Sequence, residues 1–305
     1  MIPIFLSSDF IYSPYLAVVI KSVCENTNSS INFYILDCGI GNTFKKILTN
    51  LVSQYNDTIE FINPAPQNIF NECRAINHIS KAAYIRLLIP DLKPDIDKAI
   101  YLDVDIVFNT DIAELFNQDL KDYIIGAVYG DSDEYYYYDI LTKKTLGIDI
   151  KHHYFNSGVL LIDCKKWREN NITQKLNETY DRYNSRMMHH DQDLLNILFS
   201  TNNYFHLNIK FNSTANNISE TNLNAIYHYI GAVKPWQFSP DLSTELIKNK
   251  EIWWYYAKKT DCFELIKDRC IYEDSNSLRM ARVKKAHGKI ILQKIEKYIK
   301  ALKDK

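Results

Sequence analysis

The sequence predicts an α/β fold, with a mainly parallel central sheet and helices on both faces. Three observations predict it. Runs of strand length alternate with runs of helical spacing over residues 2–107. The strand-length runs are apolar almost throughout, as expected where both sheet faces are covered. Carboxylates gather where the strands stop, at Asp9, Asp37 and Asp103, the edge at which open parallel sheets bind ligands.

The first strand is "IPIFLSS", at the very start of the sequence. "SPYLAVVIKSVCENT" follows with apolar residues at helical spacing. A second strand, "INFYILDCGI", leads to a second helix, "NTFKKILTNLVSQYN", and a third strand, "TIEFINP". A helix over "ISKAAYIRLLIP" precedes the strand "AIYLDVDIV". "YIIGAVYGD" reads as a strand that runs into a Tyr- and Asp-rich loop, "DSDEYYYYDIL". "YFNSGVLLIDCKKWREN" is a strand followed by a helix, and "HHDQDLLNILFS" has a helical apolar face with Asp191 and Gln192 in its first turn. Residues 201–226 are Asn- and Thr-rich and loop-like; "IYHYIGAVKPWQF" is a short strand that turns at Gly231.

A chain of 305 residues with 46% hydrophobic and 24% charged content fits a globular protein able to bury a core without staples. The six cysteines form no C-x-x-C pair and no zinc spacing, so they read as buried reduced thiols. The N-terminal stretch lacks a basic n-region, and Asp9 interrupts its apolar run, unlike a signal peptide. No segment reaches the ~20 apolar residues of a membrane span. The expected location is therefore cytoplasmic. Net charge is −1, but residues 279–305 hold ten Lys and Arg against Glu296 and Asp304. The rest of the chain is acidic. That contrast suggests an amphipathic basic tail for an anionic membrane surface, on the inner face of the membrane. An acidic body without aromatic-basic surface motifs argues against nucleic acid as a partner.

The chemistry begins at Asp103-Val104-Asp105, a carboxylate doublet at the end of an apolar run. In an extended backbone the two side chains point the same way. Adjacent anions repel and raise at least one pKa, and a divalent cation removes the conflict. Hard oxygen ligands suit Mg²⁺ or Mn²⁺. His228 offers a nitrogen ligand, which favours Mn²⁺; Gly231 permits close backbone approach, and Lys234 adds a compact positive charge for phosphate. No glycine-rich dinucleotide or P-loop fingerprint is present.

Together, "YLDVDIVF", "YFNSGVLLIDCKKW", "HHDQDLLN" and "HYIGAVKPW" resemble the signature blocks of family 8 retaining glycosyltransferases. That family includes bacterial lipopolysaccharide galactosyl- and glucosyltransferases and glycogenin. The resemblance spans residues 1 to about 240. It implies a GT-A type, Rossmann-like UDP-sugar-binding catalytic domain over residues 1–240, leaving residues 241–305 as a C-terminal helical region with the basic tail. It implies Mn²⁺ as cofactor, with Mg²⁺ as a substitute, a UDP-hexose donor, and an oligosaccharide or glycolipid acceptor. Asp103, Asp105 and His228 would then be the metal ligands. Asp9 and Tyr12 would hold the uracil and ribose end, and Gly231 and Lys234 the diphosphate. Arg86 would contact the donor phosphate or sugar. Asn156, Asp191 and Gln192 would line the hexose, with Asp131 as a further sugar contact. Family members often carry Asn two residues after the first Asp; here that position is Ile11.

Retention is compatible with two routes. Asp191 is the candidate nucleophile for double displacement; the resemblance instead puts Gln192 beneath the anomeric carbon, with the acceptor attacking from the leaving-group face. The tyrosines Tyr135–Tyr138 read either as packing or as a platform for acceptor sugars. The rival readings are an inactive sugar-nucleotide binder and a metal-dependent nucleotidyltransferase. The intact set of polar residues opposes the first. The lack of a basic loop in "FLSSDFIYS" opposes the second.

Overall fold

A computed structural model of the chain describes residues 1–64, 82–129, 133–217, 224–231, 233–242 and 247–270. In chain order the elements are β1 (Ile2–Ser8), α1 (Ser13–Glu25), β2 (Ile31–Asp37), α2 (Asn42–Ser53), β3 (Thr58–Ile62), α3 (Ala82–Ile85), α4 (Ile89–Leu92), β4 (Lys98–Leu102), β5 (Ile106–Phe108), α5 (Ile112–Phe116) and β6 (Ile125–Tyr129). Then come α6 (Asp133–Leu146), β7 (Phe155–Asp163), α7 (Cys164–Glu169), α8 (Ile172–Tyr183), α9 (Asp191–Leu198), β8 (Phe205–His206), β9 (Ser213–Thr214), β10 (Ile226–His228), α10 (Lys250–Ala257) and α11 (Phe263–Asp268). The fold is mixed α/β with mostly parallel strand pairing, as the apolar strand runs predict.

The chain forms two compact units. Among the described residues, the first gathers those within 1–63 and 102–118 and from 210 onward; the second gathers those within 64–101 and 119–209.

In the first unit, β2 lies between β1 and β3, and both pairings are parallel, with Ile2 opposite Ile31 and Asn32 opposite Thr58. Helix α1 carries Pro14 in its first turn, where the missing N–H is not needed. It is apolar nearly all round, and every residue from Ser13 to Cys24 is buried. Helix α2 buries only Phe44, Leu48, Leu51 and Val52 and turns a polar face outward. A second, three-stranded sheet runs in the order β5-β10-β9. It is tied to α1 by Ser22, whose Oγ accepts from Phe108 N at 3.0 Å.

In the second unit the strand order is β4-β7-β6-β8. β6 and β7 are antiparallel, with an irregular register between Gly126 and Val128. Gly126 is required by packing, because a Cβ there would lie 2.8 Å from Leu120 Cδ2 and 3.3 Å from Leu207 Cγ.

Three expectations change. "AIYLDVDIV" is not one strand: β4 ends at Leu102, Asp103–Asp105 turn, and β5 joins the second sheet through β10. The doublet therefore sits on a turn and not on an extended segment. The helix over "ISKAAYIRLLIP" is broken; α3 passes through a 3-10 turn at Arg86–Leu88 into α4, where Pro90 begins a fresh first turn. The loop expected at "DSDEYYYYDIL" is helix α6 from Asp133 onward, in a run without Gly or Pro. Asp131, Cys73 and the tail 279–305 lie outside the described residues, as do the side chains of Tyr135–Tyr138. The other five cysteines are unpaired thiols, as expected.

Candidate active site

The sequence-predicted residues fall into two groups, one in each unit. In the first unit, the turn after β4 places Asp103 and Asp105 beside His228 at the end of β10. The antiparallel register puts His228 opposite Ile106, next to Asp105 in the chain. Tyr229 N donates to Asp105 O at 3.0 Å, which extends the pairing by one residue. His228 Nε2 lies 3.2 Å from Asp105 Oδ1 and 4.0 Å from Asp103 Oδ2. One ligand atom from each of the three lies within 4.8 Å of the other two. The sequence-predicted trio is therefore brought together.

Asn212 completes this arrangement and was not read from the sequence. Its Oδ1 lies 2.8 Å from His228 Nδ1. An amide oxygen can only accept, so the proton is placed on Nδ1 and the Nε2 lone pair faces the carboxylates. This is the support a metal-binding imidazole ordinarily has. Asn212 precedes β9, and the parallel register of His228 with Thr214 positions it. The loop-like composition of residues 201–226 gave no periodic signal for it.

Lys234 Nζ pairs with Asp105 Oδ2 and donates to Tyr229 O at 2.6 Å. Burial alone would raise the Asp105 carboxyl; the Lys234 ammonium beside it outweighs that and holds the carboxyl well below the usual carboxylate range. Gly231 adopts φ 96°, the left-handed region that glycine enters without strain, and so lets the chain turn between His228 and Lys234. Asp9 Oδ1 accepts from Ile11 N at 2.9 Å and Tyr12 N at 3.1 Å, shaping the turn into α1. Tyr12 is half-buried, and burial, with Asp105 and Asp9 adding to it, raises its phenol pKa.

In the second unit, the N-terminus of α9 meets the start of β7. Gln192 Oε1 accepts from Asn156 Nδ2 and Ser157 N, each at 3.1 Å, and its Nε2 donates to Tyr154 Oη at 3.3 Å. Asp191 is buried. Its Oδ2 lies 3.2 Å from Arg86 Nε and accepts from Ser157 Oγ at 3.1 Å. Arg86 also donates from Nη1 to Ser157 O at 3.1 Å, and its guanidinium lies 4.3 Å from the Tyr101 ring centroid. Arg86 and Asp191 are thus bound to each other, while Gln192 and Asn156 are half-buried.

Asp193 is a second residue that sequence reasoning passed over. It is fully buried. Its Oδ2 accepts from Met188 N at 2.5 Å and His189 N at 2.7 Å, and its Oδ1 accepts from Tyr154 Oη. Its place two residues after Asp191, in "HHDQDLLN", was the available signal.

These parts can be set beside known proteins. The model for glycosyl transferase family 8 matches residues 3–239. A Haemophilus influenzae protein, provisionally named a glycosyltransferase, is 38% identical over 245 residues, covering 76% of this chain and 72% of that protein. Glycosyltransferase GlyA of Streptococcus pneumoniae is 30% identical over 260 residues, covering 83% of this chain and 34% of GlyA. Among solved structures, the galactosyltransferase LgtC superposes with a TM-score of 0.70 at 28% identity, covering 85% of this chain and 96% of LgtC. LgtC has been solved with donor and acceptor sugar analogs, and as an active-site mutant with glutamate in place of glutamine.

Proposed function

The chain belongs to glycosyl transferase family 8, and on that premise we propose that it moves galactose or glucose from a UDP-hexose to an acceptor hydroxyl with retention of configuration. The acceptor is an oligosaccharide or glycolipid of lipopolysaccharide or another surface glycan, made in the cytoplasm. The single observation that carries the reading is the convergence of Asp103, Asp105 and His228, with Lys234 on Asp105. The GT-A fold shared with LgtC, a galactosyltransferase solved with donor and acceptor analogs, supports it.

Two carboxylates and one imidazole nitrogen fit Mn²⁺, with Mg²⁺ as a weaker substitute. Asp103, Asp105 and His228 would hold the ion, and Asn212 would orient the imidazole. When bound, the cation supplies Lewis-acid stabilisation of the departing diphosphate. Lys234 is a compact charge on a flexible stem and adds positive charge at the same group, where negative charge grows in the transition state. Asp9 and Tyr12 take the nucleoside end, and Gly231 leaves room for the diphosphate.

Asn156 and Gln192 line the hexose. Gln192 Oε1 is held by two donors, so an amide oxygen is presented in a fixed orientation. Asp191 is held by Arg86 and Ser157, a poor arrangement for a nucleophile that must attack carbon. This favours the front-face route. The anomeric carbon–oxygen bond to the diphosphate breaks, the acceptor oxygen bonds to that carbon from the same face, and the acceptor proton passes to the departing diphosphate. Arg86 then acts through Asp191 as a positioning residue.

The test is a UDP-release assay over a panel of UDP-hexoses, with Mn²⁺ supplied or chelated. UDP release from UDP-galactose or UDP-glucose that stops on chelation and returns with Mn²⁺ is expected. Equal turnover after rigorous removal of divalent ions would overturn the reading.

A further inference from the structure

The family match ends at residue 239, yet the chain beyond it is bonded to the residues that match. We propose that the segment from Asn249 to Trp254 is a positioning element for the metal and diphosphate block, with Tyr229 and Trp254 as its positioning residues. The inference rests on the function proposed above.

Tyr229 is the link on one side. Its backbone N donates to Asp105 O, and its backbone O receives Lys234 Nζ. Its side chain is buried, and Oη donates to Asn249 O at 2.6 Å. A single residue thus joins the acid turn, the lysine and the N-terminus of α10. Asn249 has φ 57°, a conformation Asn tolerates better than most residues. Its own side chain donates from Nδ2 to Ala215 O at 2.6 Å, three residues after Asn212.

Trp254 is the link on the other side. It is 2% exposed, and its Nε1 donates to Pro235 O at 3.2 Å, next to Lys234. Trp236 is stacked on Tyr15 with ring centroids 4.0 Å apart, and Trp253 packs against it at 5.6 Å. Lys250, also 2% exposed, donates to Ser239 O and Pro240 O at 3.2 and 3.0 Å. Tyr229, Pro235, Ser239 and Pro240 are therefore each bonded to Asn249 or to the first five residues of α10. Lys234 has a long, flexible stem, so where its ammonium can reach depends on where its backbone is fixed. Sub-ångström placement of a ligand-binding group is set by such supporting contacts.

The test is calorimetric titration of UDP, with saturating Mn²⁺, into the full chain and into Tyr229→Phe, Trp254→Phe and Leu51→Ala, each well below its Tm. Leu51 is a buried residue of α2, and its truncation controls for loss of stability alone. Tyr229→Phe and Trp254→Phe are expected to weaken UDP binding about three- to ten-fold, as loss of one neutral hydrogen bond implies. They should lower kcat/KM for the UDP-hexose, with kcat falling as well as KM rising, because Lys234 and the cation would act on charge that grows in the transition state. Leu51→Ala should lower Tm and keep wild-type affinity. If Trp254→Phe does not fold, Tyr229→Phe decides alone. Wild-type affinity in the folded Tyr or Trp variants, or an equal loss in Leu51→Ala, overturns the inference and leaves the proposed function standing. A wild-type chain that fails to bind UDP with Mn²⁺ overturns both.

Discussion

Asp191 and Gln192 are neighbours in sequence with different surroundings. The carboxylate is buried and bonded to Arg86 and Ser157. The amide is half-buried and bonded to groups that hold its oxygen in place. Removing one partner of a buried ion pair leaves the other charge uncompensated, at a cost of about 3–5 kcal/mol. Asp191→Asn keeps the shape and a hydrogen-bond acceptor, so it should lower Tm and retain more than about a tenth of wild-type kcat, against the far larger loss that removal of a nucleophile causes. Gln192→Ala should cost about 10²-fold in kcat, the scale of one aligned electrostatic group. Single-turnover UDP release with both variants checks this, and an inactive but stably folded Asp191→Asn would restore the double-displacement route. That Asp103, Asp105 and His228 would come together was legible in the sequence, because a carboxylate doublet on an apolar run calls for a divalent cation and His228 offers it a nitrogen ligand. Asn212 was not legible. An Asn in an Asn-rich stretch carries no pattern, and only the β9–β10 pairing brings it to the imidazole.

At the scale of elements, the Gln192 and Asn156 group depends on how α9 begins. His190 precedes the helix with φ 53° and ψ −118°, an unfavourable conformation for a residue with a side chain. Asp193 holds the approach to it by accepting from the backbone N–H groups of Met188 and His189. Tyr154 Oη on the same carboxylate connects this turn to the segment before β7. Asp193→Ala would leave three donors without their buried acceptor. At about 1–3 kcal/mol for each unsatisfied group, less whatever water recovers, a loss of about 2–4 kcal/mol is expected. Urea denaturation measures it; a loss below about 1 kcal/mol, the range of an ordinary surface change, would contradict the role. Sequence periodicity located α9 and β7 well, because long apolar faces produce clear periods. It read through the break between β4 and β5, since Leu102 and Ile106 are equally apolar on either side of the turn. It also took α6 for a loop, because tyrosine and aspartate are common in loops although nothing in that run prevents a helix.

At the scale of the molecule, the linear reading ended the catalytic domain at residue 240, where the recognisable blocks stop. Each compact unit gathers segments far apart in the sequence, a property of contacts that local patterns do not carry. Charge is different, because it can be read directly. We propose that the ten basic residues in 279–305, set against an acidic remainder, serve to reach a lipid-linked acceptor. No helix among the described residues is long and apolar enough to cross a membrane. Surface attraction is the mechanism that this charge pattern supports. Basic residues near an anionic leaflet contribute about 1 kcal/mol each, and salt screens the effect within about 10 Å at 0.1 M. A chain ending at residue 278 should therefore bind phosphatidylglycerol vesicles more than about ten-fold more weakly than the full chain. It should lose most of the salt dependence of that binding and release UDP from a soluble donor at an unchanged rate. The residues that would hold donor and metal, and those that would position them, all lie between Asp9 and Trp254, which is why the soluble reaction should survive. Vesicle co-sedimentation across a salt series separates the cases. Equal binding by both chains would assign the attraction elsewhere, and weakened binding with lost UDP release would mean that the tail supports the catalytic unit itself.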